Sequence, residues 1–229
     1  AVLESRAAMG GTWDLFRYPG IRSDSDMHTL GYSFKPWKHE KAIADGPAIL
    51  DYIHETAREY GVEQHIRYNH RVEHLSWDSV SATWSIVLKV NGQDNVSMTC
   101  NFVYSCTGYY RYDQGYMPEF PGAGAFKGEI IHPQKWPENL DYSDKKVVVI
   151  GSGATAITLV PSMAKSAAHV TMLQRSPTYV ISRSEKDSTA KTLERYLPDQ
   201  VAYWATRWKN VLSQMILYRM SKRRPDYIR

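Results

Sequence analysis

The amino-acid sequence predicts an α/β protein of two parallel-sheet domains with a small antiparallel β-meander, and three observations carry that prediction. The first is Lys145 to Arg175, KKVVVIGSGATAITLVPSMAKSAAHVTMLQR, where a short β-branched run leads at once into a glycine turn, an apolar helical stretch and a second short strand. The second is a strand tail, Ala1 to Leu3, that ends in the carboxylate of Glu4. The third is a set of strand-like runs between Ile66 and Cys106, with the hairpin dipeptide Asn91-Gly92 among them.

Composition sets the frame. The 229 residues suit one large domain or parts of two, at about 150 residues per domain. Hydrophobic content of 43% and charged content of 23% are those of a folded globular protein, and 16 Tyr and 7 Trp suit planar ligands or large interfaces. A net charge of +4 fits anionic ligands. Because no basic-aromatic recognition motif accompanies that charge, nucleic acid is not an expected partner. Cys100 and Cys106 fall in one apparent strand, MTCNFVYSC, which would set them about 20 Å apart, so reduced core cysteines are expected. No apolar run approaches the roughly 20 residues of a membrane span and no signal-peptide pattern opens the chain, so a cytoplasmic protein without membrane association is expected. The sequon Asn95-Val96-Ser97 then reads as chance.

Taken in order, Glu4 closes a strand in the manner of a ribose-binding acid, which places the matching glycine turn before residue 1. Gly10 to Phe34 lacks periodicity and reads as a long ordered loop. Asp45 to Tyr60 is a predicted helix, with Pro47 near its start, Ile49, Leu50, Ile53 and Ala57 on one face, and Gly61 past its end. Strands are predicted at Ile66–Trp77, Thr83–Val90 and Val96–Cys106. His65, His70 and His74 read as surface and strand histidines, because neither cysteines nor an i, i+4 helical pair accompanies them to hold a metal. No G-x-S-x-G elbow supports Ser-His-Asp chemistry.

The domain break is expected near Asp141 to Asp144, dividing the chain into 1–141 and 142–229. In the second domain, Val147 to Ile150 shows no polar alternation and suits a strand buried on both faces. Gly151 and Gly153 let the backbone turn sharply and approach a pyrophosphate, and Ala156 takes the third small position of a G-x-G-x-x-G/A turn. A phosphate would then sit on the helix N-terminus, where free N–H groups and the dipole both favour an anion. Ile157, Val160, Met163 and Ala164 carry the helix, which Pro161 must kink or deprive of a hydrogen bond. His169 to Leu173 closes the βαβ unit. Arg175 then stands 24 positions after Gly151, where an acid would select NAD and an arginine accommodates a 2′-phosphate. With the Ser176 hydroxyl beside it, the preferred cofactor reads as NADP. SPTYVISRSEKD is loop-like, and Ser188 to Arg229 alternates basic residues with Leu193, Leu197, Val201, Trp204, Trp208, Val211, Leu212, Ile216 and Leu217 and reads as helices around Pro198, a solvated basic face beside anionic cofactors being favoured over a membrane-surface or partner role.

Four segments together, GGTW (Gly10 to Trp13), RYPGIRSD (Arg17 to Asp24), FKGEIIHPQKWP (Phe126 to Pro137) and GSGATA (Gly151 to Ala156), resemble the flavin-dependent Baeyer–Villiger monooxygenases. Within them the likeness is to the branch that contains the ethionamide-activating monooxygenase. The resemblance implies two Rossmann-like dinucleotide-binding domains: an FAD-binding domain at 1–141, truncated at its N-terminus, and an NADP-binding domain with a helical extension at 142–229, truncated at its C-terminus. It implies that Glu4 holds the FAD ribose, that Gly10, Gly11 and Trp13 lie along the FAD, and that Asp24 sits near the flavin beside an arginine supplied from farther downstream. Gly151, Ser152, Gly153 and Ala154 would receive the NADP pyrophosphate, with Arg175 and Ser176 on its 2′-phosphate. His132 and Trp136 would lie where the family couples cofactor movement to chemistry.

The implied reaction is flavin reduction by NADPH, capture of O2 as a C4a-peroxyflavin, and transfer of one oxygen atom to a ketone or to a thioether or thioamide sulfur. An internal fragment lacking the FAD glycine turn and the downstream arginine is expected to be inactive by itself. Two other readings stand beside this one: an N- or S-hydroxylating flavin monooxygenase, against which Trp136 argues, and a non-catalytic NADP-binding module.

Overall fold

The computed structural model of the chain describes residues 1–176, 180, 182 and 184–224. Its residues fall into two units: 1–19 with 47–142, and 20–46 with 143–229. The sequence division at 141/142 left residues 20–46 with the first domain; they pack instead with the second unit.

In the first unit, β1 (Val2–Leu3) pairs in parallel with β2 (Ile66–Arg67). The segment read as loop from Gly10 holds a short helix, α1 (Thr12–Leu15). The long helix, α3 (Gly46–Glu59), follows its predicted limits closely and ends at Gly61, whose φ of +64° is the left-handed stop that glycine adopts freely. Ile49, Tyr52, Thr56 and Ala57 form its buried stripe, while Leu50 and Ile53 are half-buried. Phe16 meets Tyr18 and Tyr110 edge-on at 5.9 and 4.9 Å between ring centroids.

The meander is β3 (His70–Asp78), β4 (Thr83–Val90) and β5 (Gln93–Cys100), in that spatial order and antiparallel throughout. Its second hairpin turns on Asn91 and Gly92, with φ of +49° and +82°, the two positive angles that an Asn-Gly turn supplies. Ile86 and Leu88 are buried on β4. The third strand was expected to run on to Cys106. It stops at Cys100 because Cys100 already pairs with Trp84 and only Thr83 remains of β4 beyond it. Residues 101–122 are irregular, with Phe102, Tyr104, Tyr109 and Tyr116 between 77% and 88% exposed. Both cysteines are free, but Cys106 is exposed and Cys100 only half-buried, so neither is the core residue expected.

In the second unit, residues 20–46 carry α2 (Met27–Leu30) and a buried cluster of Met27, Trp37, Ala42 and Ala44. Then come β6 (Lys146–Ile150), α4 (Ala154–Met163) and β7 (His169–Leu173), a parallel βαβ unit with Lys146 opposite His169 and Ile150 opposite Leu173. The expectation for β6 is burial on both faces; within these 229 residues Val147 and Val149 are half-buried while Val148 and Ile150 are 60% and 59% exposed. The pure β-branched run encodes strand propensity, but α4 covers one face only. On α4 the buried stripe is Ala156, Leu159 and Met163 with Thr158, and the predicted Ala164 is exposed. Pro161 sits in the last turn and the helix continues two residues past it. Gly20 explains this orientation, since a Cβ there would lie 2.6 Å from the Thr158 carbonyl oxygen and 2.8 Å from Ser162 Cβ.

Two helices complete the unit, α5 (Ser188–Tyr196) and α6 (Asp199–Arg223), with Leu197-Pro198 as the break between them. The buried face of α6 is made mostly of small and polar residues. Ala202, Tyr203, Thr206 and Asn210 are buried, whereas Val201, Trp204, Trp208, Leu212, Ile216 and Leu217 are 40–58% exposed. Small and polar side chains let this helix approach residues 26–29 closely. Among the described residues no helix is long and apolar enough to cross a membrane, and no cluster of three or more His, Cys, Asp or Glu could hold a metal ion.

Candidate functional site

The parallel register brings the exits of β6 and β7 to one edge of their sheet, and the glycine turn rises from that edge. The Gly151 N–H donates to the Leu173 carbonyl at 2.8 Å, tying the turn to the second strand. At Gly151 φ is +126°, which a side chain would strain. A Cβ at Gly151 or at Gly153 would meet no atom within 4 Å, so the space above the turn is open. Gly153 is the N-cap of α4 and no side chain caps the helix. The N–H groups of Ala154, Thr155 and Ala156 therefore lie in a first turn without intrahelical acceptors, at the positive end of the helix dipole. An unobstructed glycine turn on an uncapped helix fits a phosphate group. Beyond β7, Arg175 and Ser176 are exposed, and Arg175 forms no ion pair with another described residue. Pro177, Thr178 and Tyr179, part of the loop predicted after Arg175, lie outside the described residues.

In the first unit, Glu4 follows β1 directly. Its N–H donates to Arg67 O at 3.0 Å and its carbonyl accepts from His70 N at 2.9 Å. The carboxylate turns back on its own chain, Oε1 accepting from Arg6 N at 2.8 Å and from Ser5 Oγ at 3.3 Å. Gly10 and Gly11 lead into α1, and Trp13 N donates to Gly10 O at 3.0 Å, leaving the indole half-buried. A Cβ on Gly10 would fall 2.3 Å from Leu50 Cδ1, so this turn is packed shut on that side. Asp14 of α1 pairs with Arg6 and, at 2.6 Å, with Arg17. The Arg6 guanidinium also lies 5.6 Å from the Tyr112 ring centroid. Burial, and next the Glu4 carboxylate, push the Tyr112 phenol above its ordinary value.

His132 and Trp136 belong to the same unit. His132 Nδ1 accepts from Gln134 N at 3.2 Å and so caps the short turn Pro133–Lys135, while the buried Gln134 donates to Arg111 O at 2.5 Å. The Trp136 ring meets Tyr142 edge-on at 6.3 Å. Asp24 lies in the second unit, exposed, with no hydrogen bond or ion pair to another described residue. Its neighbour Asp26, which the sequence reading passed over, is 2% exposed and N-caps α2. The signal was there: an acid three residues before Thr29 is an N-cap pattern. Asp26 and Asn210 also line a polar cavity of about 320 Å³ with Asp187, Lys209 and Ser213. Burial raises the Asp187 carboxyl, yet hydrogen bonds from Lys209 and the Ala190 N–H outweigh it and hold the group below its ordinary value.

The sequence profile of the flavin-binding monooxygenase-like family matches residues 32–224. The chain is 54% identical over 230 residues to the FAD-containing monooxygenase EthA of Mycobacterium tuberculosis, covering 100% of this chain and 47% of that protein. It is 50% identical over 229 residues to the probable FAD-binding monooxygenase AlmA of Acinetobacter baylyi, covering 100% of this chain and 46% of that one. Among solved structures, an oxidized steroid monooxygenase bound to NADP superposes with a TM-score of 0.72 at 29% identity, over 89% of this chain and 38% of the other. OTEMO in complex with FAD and NADP gives a TM-score of 0.65, also at 29% identity, over 85% and 40%. The chain thus spans about half the length of the curated relatives it matches. An open glycine turn on a parallel βαβ unit and a profile match over most of the sequence lead to one conclusion: the chain belongs to the flavin-binding monooxygenase-like family.

Proposed function

We propose that the full-length protein containing this chain is an FAD- and NADPH-dependent monooxygenase that transfers one oxygen atom from O2 to a ketone, giving an ester or lactone, or to a sulfur centre. The observation that carries this reading is the open, uncapped turn at Gly151 to Gly153. Bound flavin and nicotinamide would supply the hydride transfer and the activation of oxygen. The binding of FAD is assigned to residues 1–141 and that of NADP to 142–229.

Gly151, Ser152, Gly153, Ala154, Thr155 and Ala156 form the turn and helix start that hold the pyrophosphate, through backbone N–H groups and the helix dipole. Arg175 and Ser176 take the 2′-phosphate, the guanidinium by a charge-assisted hydrogen bond. Glu4 accepts from a ribose hydroxyl of FAD through Oε2, while Oε1 keeps its bonds from Arg6 N and Ser5 Oγ. Gly10, Gly11 and Trp13 shape the wall along FAD. Asp24 is available to pair with a cation at the reacting centre, and His132 and Trp136 act in coupling rather than in cofactor binding. The free cysteines fit a cytoplasmic protein.

The test is purification of the full-length protein, measurement of bound flavin by absorbance, and product analysis with NADPH and either a cyclic ketone or a thioether. Stoichiometric flavin with ester or sulfoxide formation is expected. His132→Ala and Trp136→Ala should keep flavin while peroxide rises at the expense of product. Absence of both flavin and NADPH-dependent O2 uptake would remove the assignment.

A further inference from the structure

Asp24 is an exposed residue on a segment that is otherwise held tightly. Ser23 before it is 3% exposed and Asp26 after it 2%, and both are anchored. Ser23 N donates to Ala44 O at 2.8 Å while Ala44 N donates back to Ser23 Oγ at 3.0 Å, and Met27 N donates to Ala42 O at 2.7 Å. These bonds fix one side of the segment. The other side is fixed from α6, nearly two hundred residues later in the chain. Asn210 Nδ2 donates to Asp26 Oδ1 at 2.9 Å, and that same oxygen accepts from Thr29 N at 2.9 Å and Thr29 Oγ1 at 3.0 Å. Arg207 Nη1 donates to the Thr29 carbonyl at 2.5 Å and, more weakly, to the His28 carbonyl at 3.4 Å. Tyr203 backs the guanidinium, its hydroxyl 3.2 Å from Nη1 and its ring centroid 5.9 Å from the carbon.

We infer that Asp26, Arg207 and Asn210 are positioning residues, a clamp by which α6 fixes the backbone on which Asp24 stands. Physical necessity supports it: a carboxylate as buried as Asp26 is strongly disfavoured without hydrogen-bond donors, and only Thr29 and Asn210 supply them within the described contacts. Asp26 needs its acceptor oxygen, not its charge, to cap α2 and meet Asn210, whereas Asp24 faces outward and has its charge to offer. The two acids, two residues apart, thus divide structure from chemistry. This inference deepens the role proposed for Asp24 and rests on it where turnover is concerned.

The experiment compares Asp26→Ala, Asp26→Asn and Asn210→Ala with Asp24→Asn in the full-length protein, reading amide hydrogen exchange over residues 23–31 and steady-state kinetics. Asp26→Ala and Asn210→Ala should speed exchange in that segment by about tenfold or more, the effect of leaving a buried polar group without its partner. They should lower kcat by a similar factor at unchanged KM for NADPH. Asp26→Asn, which keeps the acceptor oxygen, should restore both. Unchanged exchange in Asn210→Ala overturns the clamp, as does an Asp26→Asn protein as impaired as Asp26→Ala. Loosened exchange with full turnover, where Asp24→Asn is inactive, overturns the link to chemistry. Full turnover in Asp24→Asn removes instead the role given to Asp24, while the exchange measurement still decides the clamp.

Discussion

The chain contains two glycine turns that lead from a strand region into a helix, and they are built for opposite ends. At Gly10 the place of a side chain is taken by Leu50 of α3, and the helix that follows is a single turn steadied by the Arg6–Asp14–Arg17 ion cluster. At Gly151 and Gly153 that place is empty, and the helix that follows runs ten residues with an uncapped start. A glycine in a motif is therefore not evidence of a ligand until its surroundings are known. The first turn packs Gly10 against α3 beside Gly11, whose Cβ would meet only the Tyr112 hydroxyl at 3.3 Å; the second keeps both of its glycines clear.

The sharpest way to break this contrast is Gly10→Ala. The methyl would have to displace Leu50 and adopt a φ of +112°, so overpacking and backbone strain together should destabilise the protein by about 3 kcal/mol. Denaturant titration reads the loss; a stable variant would mean that the first turn is as open as the second. Gly153→Ala should do the reverse. With no atom near the new methyl and an ordinary φ of −75°, stability should change by less than about 1 kcal/mol, while NADPH affinity falls at least about tenfold because the methyl enters the cleared space. Unaltered affinity in a well-folded protein would show that no phosphate approaches there.

Arg175→Ala sharpens the second half of the contrast. Loss of a charge-assisted bond to the 2′-phosphate, about 1.5–3 kcal/mol, should weaken NADPH by roughly 10- to 100-fold and NADH hardly at all. Equal losses for both would return Arg175 to the solvated surface. The smallest effect is expected in the second unit at Glu40, whose carboxyl is pulled from 4.5 to about 2 by hydrogen bonds from Lys186 and Lys191. A lowered carboxyl stabilises the fold above its ordinary value and loses that contribution as pH falls from about 4.5 towards 2. Because these groups are exposed, Glu40→Gln should flatten the acid limb of the thermal midpoint only slightly, and high salt should erase the difference.

Local signals were the legible ones. The limits of β4 and β7, the stop at Gly61, the Asn91-Gly92 hairpin and the break at Pro198 all follow from propensity and turn chemistry, which act over a few residues. What the sequence could not show was which neighbour each element meets. On α6 most of the large apolar side chains stay exposed, whereas Asn210 is buried and donates to Asp26, far away in the chain. The open face of β6 and the early end of β5 have the same origin, since a strand's pattern records its own preference and not the presence of a partner. At the candidate site, spacing singles out the glycine turn, which the structure leaves open, while the role of Arg175 rests on spacing alone. The packing roles of Gly10 and Gly20, and the difference between Asp24 and Asp26, required coordinates.

The irregular run after β5 has a practical consequence for anyone handling the protein. Phe102, Tyr104, Tyr109 and Tyr116 present aromatic side chains on backbone that no sheet or helix holds, the substrate a chymotrypsin-type protease requires. Brief digestion should nick the chain between 102 and 116 before it touches the aromatic residues of β4, where Trp84 is only partly exposed and hydrogen-bonded in a ladder on both sides. Mass spectrometry of the fragments would then give a time-ordered map of accessible backbone, obtained from microgram quantities and without any substrate in hand.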